Sequence, residues 1–312
     1  MSLDRALELA GSALGVAYPN PTIAAVVVAD GAIVGEGVTE AYGGRHGEIV
    51  ALDAAGARAC GATLYVTMEP CPHQGRTPPC VEAIVAAGVT RVIAGCRDPN
   101  REAAGGLEQL RQAGVEAELD DCFEARRQNE AWRTWKELAR PFVTYKVAMT
   151  LDGRVTVPGR RWLTGEDSRR LVHALRAASD AVAVGMGTVR TDAPRLDARD
   201  VPVARQPRRL AFGRGPLPAG SGLELRQGAL PDELAALAAE GVQSLLLEGG
   251  PRLATAFLEA GLVDRLLVFV APTLSGDGPR FLGDLSATRQ LLHVSSRPIG
   301  SDLLIEAYLR EP

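Results

Sequence analysis

Whatever fold this chain adopts must bring one histidine and two cysteines from three separate segments to a common point. His46-Gly47-Glu48 is followed by Pro70-Cys71 and then by Cys80. One nitrogen and two sulfurs suit Zn²⁺ and leave its fourth tetrahedral position open to water. The metal lowers the pKa of that water from 15.7 toward about 7, so hydroxide is available at neutral pH. Glu48, two residues after the histidine, is then placed to carry protons and not to ligate.

Simpler readings fail on the surroundings. An isolated His-x-Glu is common, and a single cysteine is more often a small buried hydrophobe than a ligand. Here the two cysteines flank Pro72-His73-Gln74-Gly75-Arg76-Thr77-Pro78-Pro79, a polar stretch rich in Pro and Gly and unsuited to a core. A structural zinc site normally has four protein ligands and gives no reason for Glu48. The H-x-E…P-C-x-x-C pattern of zinc deaminases uses the same parts, with the glutamate as acid and base. In this chain the second cysteine lies nine positions after the first instead of three.

At 312 residues the chain exceeds the size at which single cores stop growing, which predicts two domains. Nothing approaches the roughly 20 consecutive apolar residues that span a bilayer. The start, Met1-Ser2-Leu3-Asp4-Arg5, runs directly into an amphipathic helix pattern without signal-peptide architecture. A net charge of −4 offers no basic face, which argues against nucleic acid as the partner. Cys60, Cys71, Cys80, Cys96 and Cys122 are odd in number, which reads as cytoplasmic thiols, two of them metal-bound.

The pattern divides near Arg140-Pro141, giving expected domains 1–139 and 140–312. In the first, Ile23–Val28 and Ala32–Val34 read as a hairpin around Asp30-Gly31. Further strands are expected at Thr63–Met68, Val92–Ala94 and Val115–Glu118, and helices at Gly47–Ala57, Val81–Ala87, Leu107–Ala113 and Cys122–Leu138. Such alternation predicts a three-layer α/β domain. His46 and Cys80 fall at helix starts, where the positive helix end favours thiolate at Cys80. In the second, strands are expected at Phe142–Met149, Ala181–Val184, Arg209–Phe212, Ser244–Leu247, Leu266–Val270 and Leu303–Leu309. Helices fit Asp167–Ala177, Pro231–Ala239 and Arg252–Ala260, and the stretch between Arg199 and Leu230 reads as surface loop. Glu248-Gly249-Gly250-Pro251 lies between a strand and a helix, where two glycines let backbone N–H groups approach a pyrophosphate. As a lone pattern it also serves as an ordinary turn.

These residues together resemble the RibD family of bifunctional riboflavin-biosynthesis deaminase/reductases over essentially the whole chain. In the first half the resemblance rests on Tyr18-Pro19-Asn20-Pro21, His46-x-Glu48, Met68 through Cys80, Asp98-Pro99-Asn100 and Arg140-Pro141. In the second half it rests on Lys146-x-Ala148-x-x-Leu151-Asp152-Gly153-Arg154, Trp162-x-Thr164-Gly165, Gly187-Thr188-Val189, Asp192, Leu247 through Pro251 and Gly261-Leu262-Val263-Asp264. It implies a cytidine-deaminase-like domain followed by a dihydrofolate-reductase-like domain, with Zn²⁺ and NADPH as cofactors. The implied substrate is a diaminopyrimidinone carrying a ribosylamino 5′-phosphate, deaminated first and then reduced in its sugar chain.

Carried over position by position, the resemblance implies His46, Cys71 and Cys80 as metal ligands and Glu48 as the catalytic acid and base. Substrate would meet Asn20, His73, Arg76, Lys146, Arg176, Leu196, Arg199 and Glu248. The cofactor would meet Ala148, Asp152, Gly153, Trp162, Thr188, Asp192, Gly249, Gly250 and Pro251. Asn20 could equally be a plain turn residue, Arg76 a solvated charge and Trp162 a core residue. For an NADPH 2′-phosphate the sequence offers Arg208-Arg209 and Arg214. No nucleic acid or membrane partner is implied, and a homo-oligomer stays open.

The chain departs from the family pattern at several points. Gly47 stands for the usual Ala, Ala24 for a Gly, Pro72 for a Ser, Arg101 for a Pro and Ala193 for an Asp. The segment from Arg199 to Gln243 is short. An alternative is therefore an active deaminase joined to a degenerate reductase-like domain. A structural zinc protein and a free-standing nucleoside or tRNA deaminase fit less of the chain.

Overall fold

The computed structural model describes residues 2–75 and 77–312. It divides into two compact units, one running to Glu137 and including Pro312, the other Leu138–Glu311.

Along the first unit run α1 (Ser2–Ser12), β1 (Ala24–Ala29), β2 (Ala32–Val38), α2 (Gly47–Ala55), β3 (Thr63–Val66), α3 (Cys80–Ala86), β4 (Arg91–Ala94), α4 (Gly106–Gln112), β5 (Glu116–Leu119), α5 (Phe123–Gln128) and α6 (Glu130–Leu138). The sheet order is β2-β1-β3-β4-β5, with β1 antiparallel to both neighbours and the remaining pairs parallel. Asp30 and Gly31 turn the expected hairpin at φ of 50° and 76°. Alternating residues explain the layers. Ala25, Val27, Leu64 and Val66 pack on α2, α3 and α4 through Ala51, Ile84 and Leu107. On a separate cluster Met68 and Cys96 meet Ala125 of α5 and Trp132 of α6.

Two expectations need correction. Strand β2 does not stop at Val34 but continues to Val38 through Gly35 and Gly37. Glycine weakens a strand on its own account, yet it permits another backbone to come close. A Cβ at Gly35 would lie 2.2 Å from the Ala51 carbonyl oxygen, and one at Gly37 would lie 2.3 Å from the Ala51 nitrogen. Helix α2 thus rests directly on the strand. Similarly, Gly47 in the first turn of α2 would place a Cβ 2.5 Å from the Ile23 carbonyl oxygen, which accounts for glycine at this position. The second correction is that Cys122–Leu138 is two helices, broken at Asn129. The Asn129 amide accepts from the Thr22 N–H at 2.9 Å and donates to the Thr22 carbonyl at 3.0 Å, satisfying both backbone groups of that residue just ahead of β1.

The second unit contains β6 (Phe142–Thr150), α7 (Glu166–Ala178), β7 (Ala181–Gly185), α8 (Met186–Asp192), β8 (Arg208–Phe212), β9 (Glu224–Arg226), α9 (Leu230–Ala239), β10 (Ser244–Leu247), α10 (Pro251–Glu259), β11 (Arg265–Ala271), β12 (Leu292–Ile299) and β13 (Asp302–Tyr308). Its eight strands run in the order β12-β13-β11-β6-β10-β7-β8-β9. From β11 to β9 every pair is parallel, while β13 is antiparallel to β11 and β12. Both faces are covered, Ala181 and Ala183 entering one core cluster and Val182 and Val184 another.

Sequence reading missed α8, β9 and β12. Helix α8 holds Gly187 and β-branched Thr188, Val189 and Thr191, poor helix formers. Strand β9 is three residues inside the expected loop. Strand β12 is an exposed edge carrying Ser295, Ser296 and Pro298, without the apolar alternation that marks a half-buried strand.

Candidate active sites

The loop ends around β1–β4 converge at the first site. His46 caps the N-terminus of α2, Glu48 lies in its first turn, Cys71 follows β3 and Cys80 is the first residue of α3. His46 Nδ1 stands 3.2 Å from Cys80 Sγ and 3.6 Å from Cys71 Sγ. Among the described residues, the three donor atoms lie within 4.8 Å of one another. Cys71 is pushed down to about 4, chiefly by hydrogen bonding with Cys80, and the same bond together with burial pushes the Cys80 thiol up. A nitrogen and two sulfurs clustered in this way fit Zn²⁺ with one position left for water.

Glu48 is 1% exposed, and among the described residues its Oε2 has no hydrogen-bond partner. Burial pushes its pKa above the ordinary carboxylate value. It lines, with Asn20 and His73, a cavity of about 270 Å³ that also meets His46 and Cys71. Arg76 lies outside the described residues. Three further polar residues reach this space without a role assigned from sequence. Thr77 Oγ1 lies 3.1 Å from His46 Nε2. Asp98 and Asn100 line the cavity, and burial raises the Asp98 pKa to about 6. Their motif was visible in the sequence, but only the fold shows that it returns to the metal cluster. Glu69 brings it back, accepting from Leu107 N–H of α4 at 3.1 Å and Asp98 N–H at 3.4 Å.

The second site lies in the other unit, where the carboxyl ends of parallel β6, β7 and β10 open into a cavity of about 880 Å³, the usual ligand position in such sheets. Leu247 of β10 pairs with Tyr145 of β6, so the following Glu248 comes level with Lys146. Glu248, whose side chain is 9% exposed, lies 3.6 Å from Lys146 Nζ and accepts from Arg176 Nε at 2.6 Å. Arg199 also lines the cavity, as do Ala148, Trp162, Thr188, Asp192, Gly249, Gly250 and Pro251. Trp162 is 53% exposed and therefore no core residue.

Three expected residues do not line it. Asp152 accepts from Thr150 Oγ1 and from the Ser275 and Gly276 amides, closing a loop that Gly153 turns at φ 80°. Leu196 is 2% exposed and packs with Val182 and Val184. The expected 2′-phosphate residues are also absent from the lining. Arg208 pairs with Glu224 and Glu240, and Arg209 donates to the Arg195 carbonyl. The lining includes instead Arg169, His173 and Arg176 of α7. Their i, i+4, i+7 spacing marks one helix face and was a usable sequence signal. Among the described residues His173 Nδ1 is buried without a partner, and burial lowers the His173 pKa ahead of Arg176 and Arg199.

Residues 2–96 match the model of the cytidine and deoxycytidylate deaminase zinc-binding region, and residues 141–305 match the RibD C-terminal domain. Riboflavin biosynthesis protein RibD of Aquifex aeolicus is 40% identical, with 96% of this chain and 95% of the relative covered. The Escherichia coli RibD is 36% identical over 93% of this chain and 92% of its own. The chain belongs to the RibD family.

A solved RibD structure from Acinetobacter baumannii superposes with a TM-score of 0.82 at 34% identity, covering 98% of this chain and 97% of the other. The Thermotoga maritima diaminohydroxyphosphoribosylaminopyrimidine deaminase/5-amino-6-(5-phosphoribosylamino)uracil reductase reaches 0.84 at 31% identity, with the same coverage. RibD architecture thus extends through both units. Among the described residues no helix is long and apolar enough to cross a membrane.

Proposed function

We propose that this RibD-family chain is a bifunctional enzyme of riboflavin biosynthesis. Its first unit hydrolytically deaminates a diaminopyrimidinone carrying a ribosylamino 5′-phosphate, and its second reduces the ribosyl chain of the product to ribityl with NADPH. The observation that carries the reading is the buried Glu48 Oε2, without a hydrogen-bond partner among the described residues, beside three clustered metal donors.

His46, Cys71 and Cys80 would hold the zinc. Bound zinc supplies Lewis acidity and makes water nucleophilic at neutral pH. Glu48 Oε2 takes a proton from the attacking water and returns it to the ring nitrogen, a transfer suited to a carboxyl whose pKa burial has raised. Asn20 and His73 orient the pyrimidine and its sugar phosphate in the cavity, and Arg76 belongs to the same loop. Glu48 then carries the second proton, from the added hydroxyl, to the amine; the carbon–nitrogen bond breaks as the carbonyl forms, and ammonia leaves.

In the second unit Lys146, Arg176 and Arg199 attract the phosphorylated sugar, and Glu248 fixes the first two cations. NADPH supplies the hydride. The pocket fits it at Gly250, where among the described residues an added Cβ would meet only Thr188 Oγ1 at 3.6 Å, leaving backbone open at the start of α10. Gly249 has another duty, since a Cβ there would lie 2.9 Å from the Leu253 side chain. Ala148, Trp162, Thr188 and Asp192 line the same cavity and would flank the cofactor.

The test is a coupled assay on purified protein with both nicotinamide cofactors. Chelation should abolish deamination while reduction of deaminated substrate persists. Deamination that survives with no transition metal in the protein overturns the zinc reading. Calorimetry showing no NADPH or NADH binding leaves the deaminase alone.

A further inference from the structure

The segment Thr77–Cys80 touches the His46 ring at both of its nitrogens. Cys80 Sγ lies 3.2 Å from Nδ1, and Thr77 Oγ1 lies 3.1 Å from Nε2. Cys71 Sγ also stands on the Nδ1 side, at 3.6 Å. Both sulfurs therefore single out Nδ1 as the nitrogen aimed at a metal. The ring N–H is then left at Nε2, facing Thr77.

Local geometry keeps the threonine there. Gly75 N–H donates to the Thr77 carbonyl at 3.2 Å. Pro78 and Pro79 follow, with φ restrained by their rings, and Pro79 (φ −59°) leads straight into α3 and Cys80. Thr77 and Cys80 are thus held at a nearly fixed separation, one on each side of the imidazole. The opposite proton arrangement, with Thr77 donating to Nε2, would put the ring proton on Nδ1 and prevent ligation there.

We infer that Thr77 is a positioning residue for the metal ligand: His46 Nε2–H donates to Thr77 Oγ1, which fixes the tautomer and turns the Nδ1 lone pair toward the two thiolates. The inference rests on the zinc reading of the first site. Outer partners of a ligating histidine normally do this work, and losing one costs about 10–100-fold in metal affinity. It also gives the nine-residue cysteine spacing a purpose, because the added residues include the one that reaches the far side of the ring.

The experiment measures zinc dissociation constants of the full-length protein by chelator competition for wild type, Thr77→Val and Thr77→Ser. The isosteric valine removes the acceptor and keeps the shape. It should weaken zinc binding about 10–100-fold, whereas serine should stay within about threefold of wild type. The Co²⁺-substituted valine variant should also show a changed ligand-field spectrum. A valine variant that binds zinc as tightly as wild type, or a serine variant as weak as valine, overturns the inference while leaving the zinc site standing. Wild-type protein that takes up no zinc at all overturns the zinc reading and this inference with it.

Discussion

Arg176 grips Glu248 with two nitrogens, Nε at 2.6 Å and Nη2 at 3.0 Å, inside the larger cavity. Burial alone would raise the Glu248 pKa, but Lys146 and Arg176 outweigh it and hold the pKa below the ordinary value. The carboxylate is thus a fixed anion between two cations. Glu248→Gln leaves both cations in place without their counter-charge. We expect the reduction rate to fall by about 10²-fold, the cost of misplacing the two cations, while deamination is unchanged. A reduction rate equal to wild type in a stopped-flow NADPH oxidation assay refutes that role.

Glu48→Gln should retain zinc and lose deamination by about two to four orders of magnitude. Reduction of already deaminated substrate should remain near wild type, since Lys146 and Glu248 stand in the other unit. Metal analysis and both assays on one preparation decide the matter. Zinc lost along with the carboxylate would mean that Glu48 is a ligand.

Asp98 gives a pH signature. Its pKa of about 6, against an ordinary 3.8, comes mainly from burial. The folded state therefore favours the protonated acid. The associated stability is fully present below about pH 3.8 and is lost as pH rises through about 6. Asp98→Asn should remove this dependence and stabilise the protein near neutral pH by about 1–3 kcal/mol, discounted for partial exposure. Denaturant titrations of both proteins across that range provide the check. A variant-to-wild-type difference that does not change with pH would contradict it.

Gly250→Val should weaken NADPH binding at least about tenfold, or about 1.4 kcal/mol, with the melting temperature nearly unchanged because the protein leaves that Cβ position open. Gly249→Val should instead lower stability, since its Cβ meets Leu253. Calorimetry and thermal melts separate the two, and equal cofactor affinity in the Gly250 variant rejects the cradle.

The sequence made the metal cluster legible because His46, Glu48, Cys71 and Cys80 sit in short motifs at element ends, where local pattern and final position coincide. It did not show Thr77 beside the imidazole, because that contact depends on how an irregular loop folds back. The α/β alternation marked most strands, since buried runs such as Ala181–Val184 are apolar throughout. It failed where burial is absent, as in β12, or where tertiary contacts overrule local preference, as at Asn129 and in the glycine-bearing end of β2. Asp152 misled for a related reason: its motif marks a loop clasp whose partners, Ser275 and Gly276, lie far along the chain.

The seating of α2 on β2 has a consequence for how this centre tolerates change. Gly35, Gly37 and Gly47 contribute no functional group, yet each lets α2 backbone lie where a methyl would collide. His46 and Glu48 ride on that helix, so their height above the sheet is set by three missing side chains. A mutational scan of the first unit should therefore find these glycines nearly as intolerant as the ligands. Restoring the family's usual alanine at position 47 would be harmful in this background unless Ile23 moved as well. Divergence within the family would then proceed through paired exchanges between strand and helix, with chemistry unchanged while the surface beneath it is rebuilt.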